Sequence, residues 1–368
     1  MVVVVNHPSS AEVKTRRETE ETFRFLQEAS KHSLFPLIPL RFPDPGTIHG
    51  VGEARKHGMD YAVQHLLHRP TDRIVSLDAD AKVSLNYCRS LAETPFSNAA
   101  FTLRFEHPFK DADDPRAIAL YELYLRYNRW QLKRISSPFA FYSVGSCLGT
   151  DLLHYQTSGG MPSKSATEDF HFLNKLRKLG EIDEWPHATV YPSTRTSRRV
   201  MLGTGYFLSQ YAENPEEALQ HLVLPSPKAF DRLRCIQNAV HDYFQNRSGS
   251  LKILSDNPLA DRFFSKYRLY EKLERLLSNS STSNSFVRRS LQLFDGLQIY
   301  RLLRLFASEE GPPSVDQWIE WCVELAGETT RDPVHLCLAL REKERVLDSN
   351  VSVGGVRSEA TVSLSPVL

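Results

Sequence analysis

The chain lacks the run of about 18 or more consecutive apolar residues that a membrane-spanning helix needs. Its most apolar window, Pro138 to Leu153, is broken by Ser143, Gly145, Ser146, Gly149 and Asp151. Cysteine is scarce: Cys88, Cys147, Cys235, Cys322 and Cys337 are five among 368 residues and form no CxxC pair. An odd, scattered set argues against a disulfide framework or a zinc site and fits a reducing cytosol. Net charge is almost absent, +1 from 45 basic and 44 acidic side chains, so no global field draws the chain toward nucleic acid. Met1 to Asn6 has neither the basic segment nor the apolar stretch of a signal peptide, and none is expected. The sequence contains no GxxxxGK[ST] phosphate loop, no GxSxG elbow and no HExxH pair. Gly50-Val51-Gly52 begins a dinucleotide fingerprint, but Arg55 stands where the third glycine belongs, which excludes a Rossmann dehydrogenase.

What is present is an ordinary globular composition, 41% hydrophobic and 24% charged, in a chain long enough for two domains. Val2 to Val5 reads as a buried strand of a parallel sheet. Ala11 to Lys31 is patterned as a helix, Phe35 to Leu40 as a second apolar run, Gly50 to Leu67 as a helix and Ile74 to Leu77 as a strand. This alternation predicts βαβ units and a mostly parallel sheet. Further on, Asn98 to Phe105, Phe139 to Leu148 and Thr189 to Tyr191 read as strands, and Pro115 to Lys133 and Glu168 to Leu179 as helices. Beyond about Tyr211 the β signal fades. Helices are expected at Phe230 to Phe244, Leu259 to Leu277, Ser285 to Phe306, Val315 to Leu325 and Pro333 to Val346. The domain division is therefore 1–210, 211–346, and a mobile tail over 347–368.

Two acidic stretches carry the chemistry. Asp78-Ala79-Asp80 closes the strand Ile74 to Leu77. Two carboxylates one residue apart at a strand's carboxyl end can fan around a hard cation such as Mg²⁺ or Mn²⁺. The plain alternative is a pair of solvated acids. Glu168 and Asp169 open a helix, where acids serve as dipole complements; the functional alternative makes Asp169 a general base and Glu168 its orienting partner. Gly159 and Gly160 would let a substrate approach the backbone. Arg195, Arg198 and Arg199 could clamp a diphosphate, or form a solvated basic loop. His107 and His171 have no metal-ligand spacing and read as structural, and the stripe Tyr121, Tyr124, Tyr127, Trp130 reads as core.

In combination these motifs resemble family 2 of the inverting glycosyltransferases, in a bacterial subgroup. The elements that carry the resemblance are Gly50 to Asp60, Asp78-Ala79-Asp80, Phe105 to Pro108, Tyr121 to Tyr127, Gly145-Ser146, Gly159 to Leu173 and Tyr191 to Gly205. They cover roughly residues 1 to 210. The resemblance implies an α/β fold of GT-A type (Rossmann-like), a mixed, mostly parallel sheet flanked by helices, followed by a C-terminal helical region. It implies a nucleotide-sugar donor and a divalent cation, Mg²⁺ or Mn²⁺, held mainly by Asp80, with Asp78 on the ribose or the cation's waters. Asp169 would be the base. Arg55, Gly159, Gly160, Arg195, Arg198 and Arg199 would border the donor, and Asp44 would read the nucleotide base. Asn6-His7-Pro8 departs from the family, which has Pro-x-x-Asn-Glu after the first strand.

Two other readings stand beside this one. A sugar-nucleotide nucleotidyltransferase would show a glycine-rich basic loop after the first strand, and Asn6 to Lys14 has no glycine. A binding or scaffold protein that has lost catalysis would explain the altered first loop. The acceptor stays open among polysaccharide, lipid-linked sugar and small molecule. Leu291 to Phe306 mixes Leu, Ile, Tyr and Phe with Arg301 and Arg304. A core-facing amphipathic helix is the commoner meaning; the alternative is peripheral contact with the inner face of a membrane. A cytoplasmic location is expected.

Overall fold

The computed structural model describes residues 1–8, 10–41, 50–198 and 202–353, with side chains described to residue 347. The chain begins β1 (Val2–Val5), α1 (Val13–His32), β2 (Ile38–Arg41), α2 (Val51–His65), β3 (Arg73–Ser76) and β4 (Lys82–Val83). It continues α3 (Tyr87–Glu93), β5 (Ala100–Phe105), α4 (Pro115–Arg134), β6 (Leu148–Asp151), α5 (Leu152–Thr157), α6 (Glu168–Arg177) and β7 (Ile182–Tyr191). Ten helices follow among the described residues: α7 (Thr204–Glu213), α8 (Pro215–Gln220), α9 (Pro227–Asp242), α10 (Arg247–Ser255) and α11 (Pro258–Lys266), then α12 (Leu269–Ser278), α13 (Ser283–Leu293), α14 (Gly296–Glu310), α15 (Val315–Ala326) and α16 (Pro333–Val353).

The fold is mixed α/β, but its sheet is not mostly parallel. β1 and β2 form a separate parallel pair, with Val2 opposite Ile38. The larger sheet has the order β3-β6-β5-β7-β4, and only β5 and β7 run parallel. The expectation of parallel neighbours came from helix–strand alternation in the first part of the chain. It fails because β6 arrives after α4 and a long coil, and enters antiparallel between β3 and β5. There Gly149 faces the Phe101 ring with no room for a Cβ. That ring stacks on Trp185 at 3.8 Å between centroids.

Two other strand expectations are corrected. Val2 to Val5 is a strand, but only Val5 is buried, since one face of the β1–β2 pair is left partly open. Of Phe139 to Leu148, only Leu148 lies in a strand. Turns occupy the rest, closed by bonds such as Ala140 N to Ser137 O at 3.3 Å and Cys147 N to Val144 O at 2.8 Å. Its apolar residues Phe139, Tyr142 and Cys147 are buried as packing anchors rather than as strand partners.

The helical part also divides more finely than its periodicity indicates. Leu259 to Leu277 is two helices, separated at Arg268, which takes a left-handed φ of 54°. Ser285 to Phe306 breaks at Asp295, whose carboxylate accepts from the Leu297 and Gln298 amides at 3.1 and 3.2 Å and caps α14. The apolar face of α14 (Ile299, Leu302, Leu303, Phe306) is buried in the core. The largest core runs from α4 through α7 to α16, so α4 builds its interior with the C-terminal helices while its polar side meets β5. No helix among the described residues is long and apolar enough to cross a membrane.

Candidate functional site

Three elements meet at Arg55. It stands on α2, Asp78 follows β3, and Glu168 opens α6. The Arg55 guanidinium pairs with both carboxylates, and only 13% of its side chain is exposed. Gly145 lies directly on this guanidinium, where a Cβ would displace it. Gly52 does the same for the start of α6: its amide donates to the Lys164 carbonyl at 3.2 Å, and a Cβ there would meet Glu168. The starts of α2 and α6 are thereby held in contact.

Glu168 and Asp169 lie in the first turn of α6, where free amides favour negative charge. They are not solvated cap acids. Thr167 makes no side-chain cap bond, Glu168 is buried, and its carboxylate is spent on Arg55. Asp169 is half-buried, and its Oδ1 accepts from the Phe170 amide at 2.7 Å. Burial and the adjacent Glu168 carboxylate raise the Asp169 carboxyl to about 6, against the opposing pull of Arg55. A carboxylate with that proton affinity is a competent base near neutral pH.

Asp80 turns away from this group. It pairs with Arg195, Nε to Oδ2 at 2.6 Å, in the segment after β7. Arg198 faces α7 instead: its Nε donates to Ser209 at 2.9 Å and its guanidinium pairs with Glu213. Gly159 and Gly160, at φ of 76° and 71°, end α5 through bonds to Gln156 O at 3.0 Å and Tyr155 O at 2.9 Å. Gly160 O also accepts from Lys175 at 3.3 Å. Asp44 and Arg199 lie outside the described residues.

Among the described residues no group of three or more His, Cys, Asp and Glu side chains could hold a metal ion. What the site offers is two carboxylates at a strand end, each paired with an arginine. Mg²⁺ and Mn²⁺ favour such hard oxygens, and in nucleotide sites commonly take one or two carboxylates and fill the remaining positions with water and phosphate. These two carboxylates form no ready-made cage, and a cation there would have to bring further ligands such as phosphate or water.

Sequence reasoning passed over two neighbours of Asp169. Tyr121 on α4, assigned to a core stripe, has its phenol raised by burial and by the Asp169 charge, and packs on Phe207 of α7 with ring centroids 5.2 Å apart. Cys147 is buried, and burial pushes its thiol up to about 12, so it stays protonated beside Asp78 and Asp169. The only sequence signal for either was a polar atom in an apolar run. No family model, curated protein or solved structure matches the chain.

Proposed function

We propose that the chain is an inverting, hexosyltransferase-type enzyme on a GT-A type scaffold, moving a sugar from a nucleotide-diphosphate donor to an acceptor hydroxyl. The observation that carries this reading is Asp169: a half-buried carboxylate at a helix start, raised to about 6, beside an acid–arginine cluster at the carboxyl end of a sheet strand. Such a group is suited to take a proton, and its local bond, from the Phe170 amide, leaves Oδ2 to meet a ligand.

Asp80 and Arg195 face the donor diphosphate in this reading, with Asp80 as principal ligand and Asp78 beside it. A bound Mg²⁺ or Mn²⁺ would supply positive charge to the leaving diphosphate. Asp169 accepts the proton of the acceptor hydroxyl as its oxygen attacks the anomeric carbon from the face opposite the diphosphate. The new C–O bond forms as the bond to the phosphate oxygen breaks, and the electron pair leaves with the nucleoside diphosphate. Glu168, locked on Arg55, orients Asp169. A cytoplasmic location, with access to either a soluble or a lipid-linked acceptor, belongs to the same reading.

A binding protein without catalysis is the second reading, favoured by the arginine partners that engage Asp78 and Asp80. A panel of UDP-, GDP- and dTDP-sugars with Mn²⁺ separates the two. Transfer or donor hydrolysis by the wild type, lost in Asp80→Ala and Asp169→Asn, is the expected result; full activity in both variants would sink the mechanism.

A further inference from the structure

The motif Phe105-Glu106-His107-Pro108 has no part in the mechanism above, yet His107 is almost wholly buried, 1% exposed, in the most polar part of the interior. Its backbone amide and its Nδ1 both meet Glu122 Oε2 of α4, at 3.0 and 2.9 Å. Glu122 is fully buried and also accepts from Arg126 Nε at 2.7 Å and from Arg341 Nε and Nη2 of α16, both at 2.7 Å. Arg341 Nη2 returns to the His107 carbonyl at 2.9 Å. With the carboxylate on Nδ1 and two guanidiniums on that carboxylate, the ring has no freedom to turn.

The other ring nitrogen is therefore aimed. Nε2 lies 3.4 Å from the Thr204 hydroxyl at the start of α7. Tyr121, whose phenol is raised by burial and by the Asp169 charge, packs on Phe207 of the same helix with ring centroids 5.2 Å apart. The same turn of α7 is fastened to the arginine segment. The Ser197 amide donates to Gly205 O at 2.8 Å, Gly205 has no room for a Cβ against Ser197, and Arg198 bonds Ser209. Arg195 in that segment reaches Asp80.

We propose that His107 is a positioning residue: through Thr204 it anchors the start of α7, and with it the Arg195–Arg198 segment that meets the donor diphosphate. The buried Glu122–Arg341 pair is the fixed end of this tether and the arginine segment its working end. The role assigned to the segment rests on the glycosyltransferase reading; the tether itself does not.

The test uses the full chain and Thr204→Val, which keeps the shape and removes the hydroxyl, with Thr204→Ser as its rescue. Losing one hydrogen bond predicts weaker binding of nucleoside diphosphates in Mn²⁺ by about fivefold to tenfold. Cleavage by trypsin after Arg195 or Arg198 should accelerate by a similar factor, because the segment opens more often. The melting temperature should stay near that of the wild type, and Ser should restore both readouts. His107→Asn, which keeps a donor toward Glu122 but cannot reach Thr204, should behave like Thr204→Val, whereas His107→Ala fails to fold or melts early. Unchanged cleavage and unchanged binding in Thr204→Val would overturn the tether. If the wild type binds no nucleoside diphosphate while Thr204→Val is still cut faster, the tether stands and the glycosyltransferase reading falls.

Discussion

Two clusters of acids and arginines lie within this fold, and they are built to opposite ends. At Arg55 one guanidinium faces the carboxylates of Asp78, Glu168 and Asp169. Beneath α16, Arg126, Arg129 and Arg341 face Glu122 and Glu344, and Trp130 Nε1 adds a bond to Glu344 at 3.0 Å. Burial raises a carboxyl in both places. In the second cluster the arginines reverse it: Glu122 is held well below its ordinary value, and Glu344 also lies below its own. In the first, Arg55 is outnumbered and Asp169 stays raised. A cluster whose carboxylates are all paired with arginines fixes structure; one where the arginine is outnumbered keeps a carboxylate that gains from meeting a proton or a cation. The contrast separates function from architecture although both clusters contain the same residue types.

The most severe way to break the comparison is to neutralise each acid in turn. Asp169→Asn should lower transfer about a thousandfold, the usual worth of a general base, as read from initial rates under saturating donor. Glu122→Gln should instead lower stability by about 3 kcal/mol, because it removes the buried charge that Arg341 and the Nε of Arg126 pair with; urea unfolding followed by tryptophan fluorescence measures it. A Glu122→Gln protein as stable as the wild type would erase the distinction.

A smaller effect has the opposite sign. The folded carboxyl of Asp169 sits at about 6, above the unfolded value of about 3.9. The folded state thus holds this proton more tightly, and the resulting stability is full below about pH 4 and lost as pH rises through 6. Asparagine has no charge to bury, so Asp169→Asn should be the more stable protein at pH 8, by about 1 kcal/mol for a half-exposed group. The advantage should vanish at pH 4; thermal melts at the two values decide it. The mildest test is the wild-type rate profile. Its kcat/KM should rise with pH through about 6 and then level off, since the proposed mechanism needs Asp169 ionised. A profile flat across that range would remove Asp169 from the base position.

Local signals in the sequence found the two ends of the site. Three apolar positions in the run Ile74 to Leu77 before Asp78 announce a strand, and paired acids ahead of an apolar-periodic run announce the start of α6, so Asp78, Asp80, Glu168 and Asp169 were legible as candidates. Their partnership was not. Arg55 meets Glu168 across 113 positions of chain, and nothing in a local pattern records that meeting. Asp78 and Asp80 were expected to share one ion by their spacing, but each faces a different arginine because the turn after β3 splays them. Sheet direction failed for a similar reason: alternation of helix and strand says which elements exist, and only the path of the coil after α4 decides how β6 enters. His107 was set aside as structural because it lacks metal-ligand spacing, and Tyr121 as core because it recurs at helical spacing; the approach of His107 to Thr204 depends on a helix start that lies far along the chain.

The closing of the Glu122 cluster by α16 bears on how the protein comes into being. Synthesis delivers α4, with Glu122, Arg126 and Arg129, long before Arg341 and Glu344 exist. Until those two arrive, burying α4 would strand charges in a dry interior, so the nascent chain is held back from premature collapse onto that helix. On that account α16 completes this interior, and a chain cut short before Arg341 is expected to be cut by proteases faster than the full chain.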